Sequence, residues 1–231
     1  MIYFNNTALE SVAPVKIEDV RISPIQTNVT ARQRPVQWGA DFVRQTGGSR
    51  AVAITFALLT MDRDARQKQL EQITKWARSE TPGKLILPNK DGYLECICTG
   101  MPEPSLRQWW ESKLQLTFTT FDNPFFNSIT EKAAACGTQF AAVGDAPPLM
   151  RIVNEAVAAL SNVTYGNGSE SMTFSTIPAG NMEIDLNRQT AAVDGQSFMQ
   201  YYSFGSSFLI PRTGVQTITG TGTVKWRERW E

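Results

Sequence analysis

The sequence predicts a mainly β protein of two domains, the first carrying one α-helix. Three observations carry this reading. Apolar residues alternate with polar ones through most of the chain. Helical spacing is sustained only once, in MDRDARQKQLEQITKWARSE. Residues 150–231 are cut by turn signals at roughly ten-residue intervals, which is β-sandwich spacing. The expected division is 1–130, a β-sandwich-like domain with its helix at about 62–79, and 131–231, a C-terminal β-sandwich. The final strand is a candidate to pack back on the first domain. Residues 127–150, rich in Ala, Gly and Pro, form the expected linker or seam.

The elements follow in order. VAPVKIEDVRISPI places apolar residues at Val15 and Ile17, then at Val20 and Ile22, and reads as one or two strands. Trp38–Phe42 is an expected strand, TGGS a turn, and Ala51–Leu59 the next strand. In that strand Val52, Ile54, Phe56 and Leu58 share one face. In the helix Leu70, Ile73, Trp76 and Ala77 make the apolar stripe. Asp62 and Asp64 stand at its start and Arg78 at its end, as the macrodipole favours. TPG at 81–83 stops it, and the narrow stripe predicts a helix covering one face of a sheet. GKLILPNKDGYLECICTG is a hairpin, and Leu114, Leu116 and Phe118 alternate in a strand that ends at FDNPFF.

Composition removes several functions. The chain has 22 Lys+Arg, 22 Asp+Glu and no histidine. Residues 1–130 hold 15 bases and 13 acids, leaving 7 and 9 for the rest, so neither half is a polyanion binder by net charge. Without histidine there is no Ser-His or Cys-His dyad and no common catalytic zinc site. No apolar run of eighteen residues exists to span a bilayer, so membrane insertion is not expected. The start lacks a basic region followed by an apolar one, so a secretory signal is not expected. Cys96, Cys98 and Cys136 are odd in number and lack a framework spacing, which suggests a reducing compartment. A thiolate metal site would want a fourth ligand, so the thiols read as small apolar residues. No catalytic, cofactor-binding or metal residue is assigned.

Several stretches invite a site and favour a plainer reading. In MEIDLNRQTAAVDGQSF, Glu183 and Asp185 sit two apart on a strand, about 7 Å from each other, which suits a carboxylate pair. A β-meander accounts for more of the stretch. Ile184 and Leu186 point inward, Asn187-Arg188 begins a reversal, Ala191 and Val193 return, Asp194-Gly195 turns, and Phe198 packs in a third strand. KWRERW could interleave bases and aromatics for nucleic acid or sugar. As a strand, however, it puts Val224, Trp226, Glu228 and Trp230 on one face and Lys225, Arg227 and Arg229 on the other, as in a closing strand. TGGS and YGNGS lack the Lys-Ser/Thr and helix of a phosphate loop. Trp109-Trp110 places one indole on each side of its segment.

Three pieces of the chain together resemble the distal tail protein of long, non-contractile-tailed bacteriophages. They are RAVAITFALL running through the helix into GKLILPNKDGYLECICTG, the strand ending LQLTFTTFDNPFF, and MEIDLNRQTAAVDGQ followed by YYSFGSSFLIPRTGVQTITGTGTVKWRERW. They span nearly the whole chain in the family's order. The resemblance implies a non-enzymatic tail-tip or baseplate hub without cofactor: a homo-hexameric ring of N-terminal domains and a galectin-like C-terminal β-sandwich. Implied partners are the major tail tube protein, the tail hub or tail-associated lysin protein, and receptor-binding or baseplate proteins, with DNA only passing through the channel. The implied location is the virion tail tip, assembled in the bacterial cytoplasm. Two other classes stay open: a carbohydrate-binding β-sandwich using Tyr201, Tyr202 and Phe204, and a carboxylate hydrolase using Glu183 or Asp185.

Overall fold

The computed structural model describes residues 1–33, 40–60, 62–101, 113–121 and 123–231, with backbone alone for 27–33 and 40–47. Trp38, Trp109, Trp110 and Asp122 lie outside the described residues. The chain forms two compact units, Met1–Phe126 and Asn127–Glu231.

In the first unit, β1 (Tyr3–Phe4) and β2 (Thr7–Ala8) precede the one-turn helix α1 (Leu9–Val12). Then come β3 (Val15–Ile22), β4 (Thr27–Gln33), β5 (Ala40–Gly47) and β6 (Ala51–Leu58). Helix α2 (Arg63–Ala77) leads to β7 (Gly83–Ile86), β8 (Gly92–Gly100) and β9 (Leu114–Thr119). The strands β3-β6-β9-β8-β7-β1-β2 pair in that order, all antiparallel. Strand β8 uses Tyr93–Cys96 for β7 and its later residues, from Ile97, for β9. The ribbon β4–β5 forms a sheet of its own.

Strand β3 is one strand with a bulge. Its pairing with β6 slips between Ile17 and Asp19, so Glu18 is the extra residue and the apolar phase resumes at Val20. In β6, Val52, Ile54, Phe56 and Leu58 are buried as their period requires. Helix α2 starts one residue later and ends earlier than its charges suggested. Asp62 is the N-cap, accepting from Ala65 N at 2.7 Å, and Arg78 is already extended. Ile73 and Ala77 are fully buried, and Trp76 meets Phe4 and Phe118 edge-on, at 5.8 and 6.2 Å. The Trp76 indole N–H donates to Thr7 O at 3.0 Å, so the helix covers the sheet. The strand expected from Trp38 runs on to Gly47, so TGGS begins inside β5.

Strand β10 (Phe126–Ser128) contains the division between the units. The second unit continues with β11 (Lys132–Ala135), β12 (Gln139–Ala142), β13 (Ala146–Ala156), β14 (Leu160–Gly166), β15 (Ser171–Ile177) and β16 (Gly180–Asp185). It ends with β17 (Thr190–Val193), β18 (Gln196–Ser197), a 3-10 turn at Met199–Tyr201, β19 (Gly214–Thr217) and β20 (Thr223–Trp230). One layer has the order β18-β17-β16-β13-β20-β11. The other holds the hairpin β14–β15 and the pair β12–β19, tied by the bridge Gly166–Thr219, and a second bridge, Phe174–Tyr202, joins β15 to the end of the 3-10 turn. Met150, Ile152, Met182, Ile184, Val224 and Trp226 of the first layer are buried against Phe140, Val163, Tyr165, Met172 and Phe174 of the second. This is a β-sandwich.

The stretch read as a linker or seam begins at the division between the units, and it is built of short strands rather than free linker. Residues 127–150 contain β10, β11, β12 and the start of β13. Ala133, Ala134 and Ala135 carry little side-chain signal, and their backbone is ordered by pairing with Lys225, Val224 and Thr223 of β20.

Candidate functional site: acids, bases and exposed surfaces

The acid pair resolves into structural contacts. Glu183 and Asp185 lie on β16, opposite Val153 and Arg151 of β13. Glu183 accepts from Arg151 Nη1 at 3.1 Å. Arg151 Nη2 also reaches both oxygens of Glu131 at 3.1 Å. Burial opposes the Arg151 charge, but the bonds to Glu131 and Glu183 outweigh it and hold the guanidinium above its ordinary range. Asp185 Oδ1 accepts from the backbone N–H of Asn187 and of Arg188, each at 2.9 Å, closing an Asx turn. Asn187 in turn accepts from Met150 N at 2.7 Å and donates to Pro148 O at 3.1 Å. The carboxylates thus hold a strand and a turn.

The rest of the meander follows the same logic. Ile184, Leu186 and Val193 are buried. Asp194 and Gly195 have φ of 47° and 78°, and Val193 pairs with Gln196, which defines a two-residue hairpin turn of the primed type. Phe198 is buried, but just beyond β18 rather than inside it, at the start of the 3-10 turn.

In β20, Val224, Trp226 and Glu228 are buried in alternation. The opposite face is not free for phosphate. Arg227 Nη1 donates to Ser128 O at 3.0 Å and to Ile129 O, and Arg229 Nε donates to Pro147 O. Burial pulls the Arg229 pKa down. YGNGS is the tight connection of β14 to β15, and TGGS joins β5 to β6; neither opens a helix.

Cys96 lies in the core of the first unit, and its thiol is pushed up to about 12 by burial and by Cys98. Burial also raises Cys98, with backbone hydrogen bonding at Gly100 and Thr117 acting the other way, and it raises Cys136. Raised thiols are poor nucleophiles and poor metal ligands at neutral pH. Among the described residues no three His, Cys, Asp or Glu side chains converge as a metal site. Among the described residues no helix is long and apolar enough to cross a membrane.

The three aromatics considered for sugar stacking do not form one platform. Tyr202 packs between Phe174 and Phe208, at 5.5 and 5.1 Å. Only Phe204 is fully exposed, on a turn where Ser206 N donates to Ser203 O at 3.2 Å. Other exposed apolar side chains of this unit include Val143, Val157, Ile210 and Val215.

The fold built from these two units is one used by hub and baseplate proteins of phage tails. Solved structures carry it. The SPP1 Dit (gp 19.1) protein, a paradigm of the hub adsorption apparatus in phages that infect Gram-positive bacteria, matches with a TM-score of 0.76 at 12% identity, over 100% of this chain and 98% of its own. A chain of the phage p2 baseplate in its activated conformation with Sr matches with a TM-score of 0.50 at 8% identity, over 94% of this chain and 91% of its own. No protein-family model and no curated protein matches the sequence. The expected likeness to distal tail proteins therefore rests on the fold.

Proposed function

We propose that this protein is a structural hub of a phage tail tip, with no enzymatic role of its own. The observation that carries the reading is the end-to-end match of both units to SPP1 Dit. In this role the protein forms a hexameric ring at the tip of the virion tail, assembled in the bacterial cytoplasm. The ring joins the tail tube protein to the hub or tail-associated lysin protein and anchors receptor-binding or baseplate components, with DNA passing through its channel. A closed six-fold ring requires head-to-tail contacts between copies. The ribbon β4–β5 supports this: among the described residues neither strand pairs with any other, and an isolated two-stranded ribbon is only marginally stable in water. A neighbouring copy would supply the missing surface. The non-enzymatic reading is supported by the engagement of Glu183 and Asp185 in Arg151 and the Asx turn.

Mixing the purified protein with its phage's tail tube protein tests the proposal. A stoichiometric complex is expected; no association at any ratio would count against it. Replacing Glu183 with Ala should cost no catalytic turnover, because none is there to lose, and a glycan array should stay blank.

A further inference from the structure

The turn between β14 and β15 contains the only Asn-Gly step in the chain, Asn167-Gly168. Asn167 Oδ1 accepts from Ser169 N at 3.1 Å, Ser169 Oγ at 3.1 Å and Glu170 N at 2.8 Å. Its Nδ2 donates to Glu170 Oε2 at 2.8 Å. The same Glu170 oxygen accepts from Ile210 N at 2.8 Å, and Oε1 accepts from Arg212 Nη2 at 2.8 Å. One carboxylate therefore ties this turn to residues 210–212 of the long connection that follows the 3-10 turn. Gly168 is exposed, with φ of 89° and nothing within 4 Å of a Cβ built on it.

We infer that Asn167-Gly168 is a spontaneous modification site, a deamidation that loosens the Ile210–Arg212 segment. The Gly168 backbone nitrogen, losing its proton to solvent, attacks Asn167 Cγ. A cyclic imide forms and ammonia leaves. Water then opens either imide carbonyl, giving aspartate or isoaspartate at 167. The net reaction consumes one water and releases one ammonia, and it replaces a neutral amide with a carboxylate. The chain conditions favour it. Oδ1 is polarised by three donors, glycine offers no side chain to block the ring, and among the described residues none accepts a hydrogen bond from the Gly168 N–H. The consequence follows from charge. The product loses the N–H that donates to Glu170 and sets a second carboxylate against it, and like charges at contact repel. Glu170 is then a poorer anchor for Ile210 N and Arg212.

The test is to incubate the intact protein at mildly alkaline pH and follow every asparagine by peptide mapping. Hydrogen exchange at Ile210 is compared before and after conversion. Asn167 should convert ahead of the other asparagines, and the Ile210 amide of the converted protein should exchange about tenfold faster or more. N167D should show the faster exchange without incubation, and G168A should slow the conversion. Conversion of other asparagines while Asn167 stays intact would overturn the site. Conversion of Asn167, or the N167D change, with Ile210 exchange unaltered would overturn the coupling.

Discussion

Lys132 Nζ lies 2.6 Å from Glu228 Oε1, and Glu228 is almost wholly removed from water while Lys132 is half exposed. Glu228 also accepts from Val143 N at 3.2 Å, so one buried carboxylate joins β11 and β20 to the residue after β12. The pair is asymmetric, and its variants should be too. K132A leaves a buried carboxylate without its cation and should destabilise the protein by about 1–3 kcal/mol. E228Q frees a lysine that can reach solvent and should cost less. Chemical denaturation of both variants measures the difference, and equal losses would contradict the burial argument.

The Asp194-Gly195 turn needs positive φ at both central residues. A β-branched residue resists that conformation, whereas Asn tolerates it. G195V should lower stability by about 1–2 kcal/mol, and D194N should be nearly neutral in backbone terms. Urea midpoints of the two variants test this directly.

Glu170 has a lowered pKa, first through the hydrogen bond from Ile210 N; burial opposes this, and Asn167 and Arg212 add to the lowering. A carboxylate with a depressed folded pKa adds stability that is complete above its unfolded value. That stability is lost as pH falls through the folded value. The contribution should therefore persist down to about pH 4.3, the ordinary glutamate value, and fade below it. The protection of the Ile210 amide, taken relative to its intrinsic exchange rate at each pH, should fall in that acid range for the parent protein. In E170Q that fall should be absent.

The thiols should respond to alkylation by burial. With its pKa near 12 and no exposure, Cys96 should stay unmodified in the folded protein at neutral pH and react only on unfolding. Cys98 and Cys136, partly exposed but also raised, should react slowly in the native state. Pulsed alkylation read by mass spectrometry separates the three.

What the sequence made legible was periodic. The stripe of α2, the alternation in β6 and β9, and the buried face of β20 all repeat at the spacing of their element. Even the break between Ile17 and Val20 was visible, and the bulge at Glu18 is its cause. Residues 127–150 misled because alanines pair without showing a period; their order comes from β20, far along the chain. The short β1 and β2 were missed for a related reason, since each holds two residues and is ordered by neighbours such as β7. The contacts of Arg151 with Glu131, and of Arg227 with Ser128 and Ile129, join residues far apart in the chain and leave no local signal. The acid pair was readable as structure because Asn-Arg and Asp-Gly marked the turns around it.

We propose that copies of this chain close into a ring. Electron micrographs of the purified protein, across a concentration series and alongside light scattering, decide it. Six-fold particles with a central channel and a mass of six chains are expected. A strictly monomeric species at every concentration, with no ring formed on tail tube protein, would contradict it.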